Sequence, residues 1–185
     1  MNLTEAVIIR VLAGVRGAVP STKLVKLVYL VDYLHFQHFG RTVTGLQYQW
    51  DHFGPNALGH AIISEAEKLA QRDLVKIISQ PNIHGGVTIS FAQRTGVEGI
   101  SLSPEAEMVI EDVIHEYGAL SVRAITARSK QTAPFKNAAQ YRVLSMEQSS
   151  PAISAIAGDW DAFQRDLKEN GTLSLDEVKR RYKMA

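Results

Sequence analysis

The sequence predicts a mainly helical α+β domain. It would have a five-helix core, a small β-hairpin or three-stranded antiparallel sheet, and helices at its C-terminal end. Three observations carry this. Two long segments, near residues 4–15 and 21–39, repeat apolar residues at helical spacing. Two short runs, Leu74–Ser79 and Val87–Phe91, flank Pro81, Asn82, Gly85 and Gly86, which is a hairpin signature. Ser103-Pro104-Glu105 is a helix start, with Ser as cap, Pro at the first position and acid in the first turn.

The elements follow in order. Asn2, with Glu5 three residues on, forms a capping box for the first helix, in which Val7, Ile8, Val11 and Leu12 share a face. Gly14, Gly17 and Pro20 end it. Ser21 or Thr22 then caps a helix to Phe39. Leu24, Leu27, Val28, Val31, Leu34 and Phe36 leave this helix little polar stripe, so it is expected at the centre of the core, with Tyr29 inside and Lys23, Lys26 and Gln37 in solvent. Gly40 stops it. Thr42–Thr44, Tyr48 and Trp50 favour extended backbone, with a strand near Gln47–His52. Pro55 forces a break, and a third helix is expected from Ala57 to Gln71. The hairpin comes next, then helices over residues 104–117 and 121–130. Ser149-Ser150-Pro151 reads as a boundary between a domain at 1–148 and a helical extension at 149–185. Helices are expected there at Asp159–Glu169 and Ser174–Tyr182.

Composition removes whole function classes. The chain has 185 residues, enough to bury roughly 70% of the unfolded surface in one core. With no cysteine there is no disulfide scaffold, Cys-ligated zinc, iron–sulfur site or thiol catalysis. A net charge of +1 gives no overall field toward nucleic acid or membrane. Glu5 and Arg10 interrupt the first apolar run, which is unlike a signal peptide, and no apolar run is long enough to span a bilayer. A cytoplasmic protein with no membrane partner is expected.

Chemistry-bearing motifs are sparse. His35 and His38 share a helix face, but a metal would need His52 or His60 as well, and two polar positions at the helix edge explain them more simply. There is no nucleophile elbow, P-loop or dinucleotide fingerprint. The expectation is a protein that is not an enzyme and needs no cofactor. Acids cluster from Glu105 to Glu116 and bases from Arg123 to Arg142, either as a basic binding face or as two helices that neutralise each other. The order helix, helix, helix, hairpin also fits a winged-helix DNA binder. However, Glu65 and Glu67 fall in the recognition-helix slot and would face phosphates, so DNA is the weaker reading.

Residues 23–55 read KLVKLVYLVDYLHFQHFGRTVTGLQYQWDHFGP. A K-L-x-K-L-x-Y-L helix, a Gly, a T-G-x-x-Y strand with an aromatic end, and a G-P before another helix resemble the Panacea domain of SocA-like antitoxins. The similarity extends over roughly Leu3 to Tyr117. It implies a cognate protein toxin as partner, neutralised by direct binding. It also implies, for at least one member, an adaptor role toward an AAA+ protease. The family supplies no catalytic residues. From the residues themselves, Asp32, His35, Tyr48, Trp50, Asp51 and His52 form the candidate partner-binding set. Tyr48 and Trp50 share a strand face, and Asp32 and His35 lie one turn beyond Tyr29, where they can meet the loop carrying Asp51 and His52.

Overall fold

The computed structural model describes residues 1–82, 85–94 and 101–149. Along the chain run α1 (Leu3–Gly14), β1 (Val19–Pro20), α2 (Ser21–Phe39), β2 (Tyr48–Gln49), β3 (Asn56–Ala57) and α3 (Ala61–Gln71). The hairpin β4 (Val75–Pro81) and β5 (Val87–Gln93) follows, then α4 (Pro104–Tyr117), α5 (Val122–Ser129) and a short α6 (Ala133–Asn137). The α+β, mainly helical class is as the sequence implied, with a sixth short helix among the described residues. No helix there is long and apolar enough to cross a membrane. The helices expected at Asp159–Glu169 and Ser174–Tyr182 lie outside the described residues, as does His84 of the hairpin turn.

α2 is the axis of the core. Leu24, Leu27, Val28, Tyr29 and Val31 are fully buried, and α1, α3, α4 and α5 pack around them. The capping box forms as expected, Asn2 and Glu5 each accepting the other's backbone N–H at 2.9 Å. Ser103 and Ser121 cap α4 and α5. At α2 the cap differs. Pro20 is the N-cap and offers no side-chain bond, because the chain enters the helix straight from β1. Gly40 closes the helix at φ 67°, the left-handed region that suits glycine.

The two-residue strand β1 had no sequence signal of its own. It pairs antiparallel with β5, Val19 opposite Phe91 and Pro20 opposite Ser90, giving a three-stranded sheet in the order β1-β5-β4. An edge strand tolerates Pro20, which lacks an N–H. Val75 and Phe91 root the hairpin in the core, while Ile77, Val87 and Ile89 are exposed further out.

Two expectations are corrected. The third helix begins at Ala61, not Ala57. Asn56 and Ala57 pair with Gln49 and Tyr48 as β3, and left-handed Gly59 (φ 62°) and His60 (φ 55°) interrupt the helix before it can start. Lys23 and Lys26 are buried rather than in solvent. Each reaches a backbone carbonyl, Lys23 Nζ donating to Gly118 at 2.6 Å and Lys26 Nζ to Pro55 at 2.7 Å. Of the acidic run, Glu107 and Glu111 of α4 pair with Arg10 of α1.

Candidate functional site

The segment between α2 and α3 is laced onto α2 in reverse order. Lys26 holds Pro55 as above, and the Tyr29 ring meets Tyr48 edge-on at 5.0 Å. One turn on, Asp32 is a hub. Its carboxylate accepts the N–H groups of Val43 (2.8 Å) and Thr44 (2.9 Å) and the hydroxyls of Thr44 and Tyr48, the latter at 2.6 Å. Burial pushes the Asp32 carboxyl up in pKa, and the four donated bonds pull back against that shift. The Tyr48 hydroxyl is held well above its ordinary pKa by burial and by the adjacent carboxylate. One turn further, His35 Nδ1–H donates to the Arg41 carbonyl at 2.6 Å. Positions at three- and four-residue spacing share a helix face, so one stripe of α2 fixes the whole segment.

The far end of this segment builds an exposed aromatic platform. Trp50 is half-buried and stacks on Phe135 of α6, with ring centroids 5.3 Å apart and planes 14° apart. His52 and Tyr141 stand edge-on to the indole at 5.1 and 5.8 Å, and a 2.5 Å hydrogen bond joins His52 Nε2 to the Tyr141 hydroxyl. Residues 142–144 fix the platform from behind: Trp50 N–H donates to the Arg142 carbonyl (2.8 Å) and Leu144 N–H to that of Tyr48 (2.7 Å). Tyr141 is 63% exposed and sits at φ 61°, a conformation an aromatic residue adopts only at a cost.

The six residues expected to form one site thus fall in four places. Asp32 and Tyr48 meet, but both are buried and hold the loop from beneath. His35 is buried near Arg41, away from the platform. Trp50 and His52 meet on the platform, and Asp51 turns instead into an adjoining cleft with Lys26. Trp50 packs on the core through Phe135 and leaves part of the indole open. Among the described residues no group of three His, Asp or Glu side chains could hold a metal. Phe135, Tyr141 and buried Lys26 were not anticipated. Nothing near Tyr141 announces a left-handed tyrosine.

The recognition-helix position of the winged-helix reading offers no basic face among the described residues. On α3, Lys68 is paired with Glu65, and Arg72 just beyond it is paired with Glu5.

Two expected outcomes arise here. Gly54 ends the platform turn at φ 90°, and an added Cβ would lie 3.0 Å from Ser129 Oγ and 3.2 Å from Lys26 Cε. Gly54→Ala is expected to cost about 2 kcal/mol, read as a lower urea midpoint, since both strain and contact oppose it. His35 gives a pH dependence. Burial lowers its pKa below the ordinary 6.5, against the smaller upward pull of its bond to Arg41. The folded state therefore keeps His35 neutral while the unfolded chain protonates it first. The stability this represents is complete above the unfolded value and is lost as pH falls through 6.5 toward the folded value. Urea titrations from about pH 7.5 to about pH 5 should show a steeper loss for the wild type than for His35→Gln.

No curated protein and no solved structure matches the chain. A family model, described as antitoxin SocA-like, Panacea domain, matches residues 24–136. That stretch opens on α2 and closes in α6, so it contains the lacing from Lys26 to Pro55, the Asp32 hub, and the stacked Trp50 and Phe135. The chain belongs to the SocA-like antitoxin family through its Panacea domain.

Proposed function

We propose that this protein is the antitoxin of a toxin–antitoxin pair and neutralises a cognate protein toxin by direct binding, with residues 1–148 as the binding unit. The observation that carries the reading is the platform of Trp50, His52 and Tyr141, exposed and preorganised inside a domain of an antitoxin family. Trp and Tyr are the residues that most often anchor protein interfaces, and a rigid platform loses little entropy on binding. Asp32 and Tyr48 would act as positioning residues, with Asp51 at the rim.

Lys130 donates to the His52 carbonyl at 2.5 Å, and Lys136 and Arg142 are exposed next to platform residues. This basic surround suits a toxin with an acidic rim. Delivery of the captured toxin to an AAA+ protease is the second step this reading allows.

The test is co-expression in a bacterial host. The open reading frame beside this gene is induced alone and then with this protein, and viable cells are counted. Growth arrest relieved by this protein, with co-purification of the pair, is the expected result. Rescue that disappears in a protease-deficient host adds the delivery step, and rescue that persists leaves neutralisation by binding alone. A neighbour that is harmless and does not bind would sink the antitoxin reading.

A further inference from the structure

The platform does not use the cleft beside it. This cleft, of about 280 Å³, lies where the starts of α2 and α3 meet the platform turn. Lys26 lines it at 3% exposure. Its ammonium makes one hydrogen bond, to Pro55, and no ion pair among the described residues. An ammonium carries three donors, and a buried charge without a counter-ion is unfavourable.

The nearby charges do not settle that account. Burial holds the Lys26 pKa down at about 8. Asp51 pulls it upward from beyond ion-pair distance, and Lys130 pushes it further down. The Asp51 carboxylate is itself engaged, accepting the Phe53 N–H at 2.8 Å. Ser21 and Thr22, the first residues of α2, line the same cleft, and no side chain caps that helix. Uncapped N–H groups at a helix start favour negative charge. In the cleft itself Lys26 and the uncapped start of α2 face one carboxylate, Asp51, beside Asn56 and His60, so the balance favours a further negative charge. Val25, Phe53 and Ile63 supply an apolar wall.

We propose that this cleft binds a carboxylate group, seated against Lys26 Nζ and the first turn of α2, with the carbon that bears it against Val25, Phe53 and Ile63. Asp51 in the same small space disfavours a doubly charged phosphate. The carboxylate is that of a chain terminus or of an acidic side chain. The proposal stands on the cleft and not on the identity of any toxin, so it and the antitoxin reading can fail separately.

The experiment follows the lysine Cε resonances of the full chain by carbon NMR against pH, with and without hydrocinnamate. The uncharged hydrocinnamamide is the control. The Lys26 pKa is expected to rise by about one unit with the acid, a roughly tenfold preference for the protonated lysine, and to stay put with the amide. Lys26→Met should bind hydrocinnamate at least about tenfold more weakly. If that variant does not fold, the acid–amide comparison on the wild type decides. Two short peptides then separate the sources, one with a free C-terminus and no acidic residue, the other amidated with an internal Glu. Binding by either one supports the proposal and names the source. A Lys26 signal unmoved up to roughly 50 mM acid, equal binding of the amide, undiminished binding to folded Lys26→Met, or no binding of either peptide would overturn it.

Discussion

Asp32→Ala is expected to cost about 3 kcal/mol of stability and to lower the melting temperature by roughly 6–12 °C. The carboxylate accepts two backbone N–H groups and two hydroxyls from Val43, Thr44 and Tyr48. A hydrogen bond to a charged acceptor contributes about 1.5–3 kcal/mol, so a plain sum would be far larger. Two effects reduce it. The burial cost that pushes the carboxyl's pKa up disappears with the carboxyl. The Thr44 and Tyr48 hydroxyls can also rotate to other acceptors, whereas the two backbone N–H groups cannot. Asp32→Asn keeps one acceptor oxygen in place and should lose about half as much. The damage should be local as well as global. Hydrogen exchange at the Val43 and Thr44 amides should accelerate in Asp32→Ala well before exchange in the body of α2. An unchanged melting temperature with those two amides still protected would mean that Asp32 is not the hub.

This hub shows what the sequence could disclose. Apolar spacing on α2 marked it as the core axis, because a helix with almost no polar stripe has nowhere else to go. The same spacing put Asp32 and His35 one turn apart and directed them toward the following loop. Both do bond to the segment after α2, but to its near part, at Arg41, Val43, Thr44 and Tyr48, and not to the loop carrying Asp51 and His52. What the spacing lacked was depth: a charged residue beside apolar neighbours reads as exposed until its partners are known. Lys26 misled for the same reason, its partner being the backbone carbonyl of Pro55, which no side-chain pattern records. β1 and β3 were missed in part because two-residue strands exist only through their partners in β5 and β2, and pairing at that distance leaves no local periodicity. Trp50 and His52 belong together because residues 141–144 return to hold them, a contact made by the path of the chain rather than by composition.

If the platform is the toxin-binding surface proposed above, Trp50→Ala is expected to weaken binding of that toxin by about 2 kcal/mol or more, roughly a thirtyfold rise in Kd. Alone it is an ambiguous test, because Trp50 also stacks on Phe135 and its loss would cost stability. Tyr141→Asn removes the ambiguity. Tyr141 is 63% exposed and its backbone is left-handed, a region that asparagine enters more readily than tyrosine. Relief of that strain should return about 1 kcal/mol. Loss of the edge-on contacts to Trp50 and His52, and of the exposed hydrogen bond to His52, should remove roughly 1–2 kcal/mol. The net cost should be about 1 kcal/mol or less, so the urea midpoint of Tyr141→Asn should fall only slightly. Its affinity for the toxin should nevertheless fall roughly tenfold, because the exposed ring is gone from the platform. Calorimetric titration of the purified pair, beside unfolding of the antitoxin alone, reads both quantities. Weak binding at nearly unchanged stability places the recognition surface at the platform. Unchanged binding in both variants would move it elsewhere on the domain, whatever the outcome for growth.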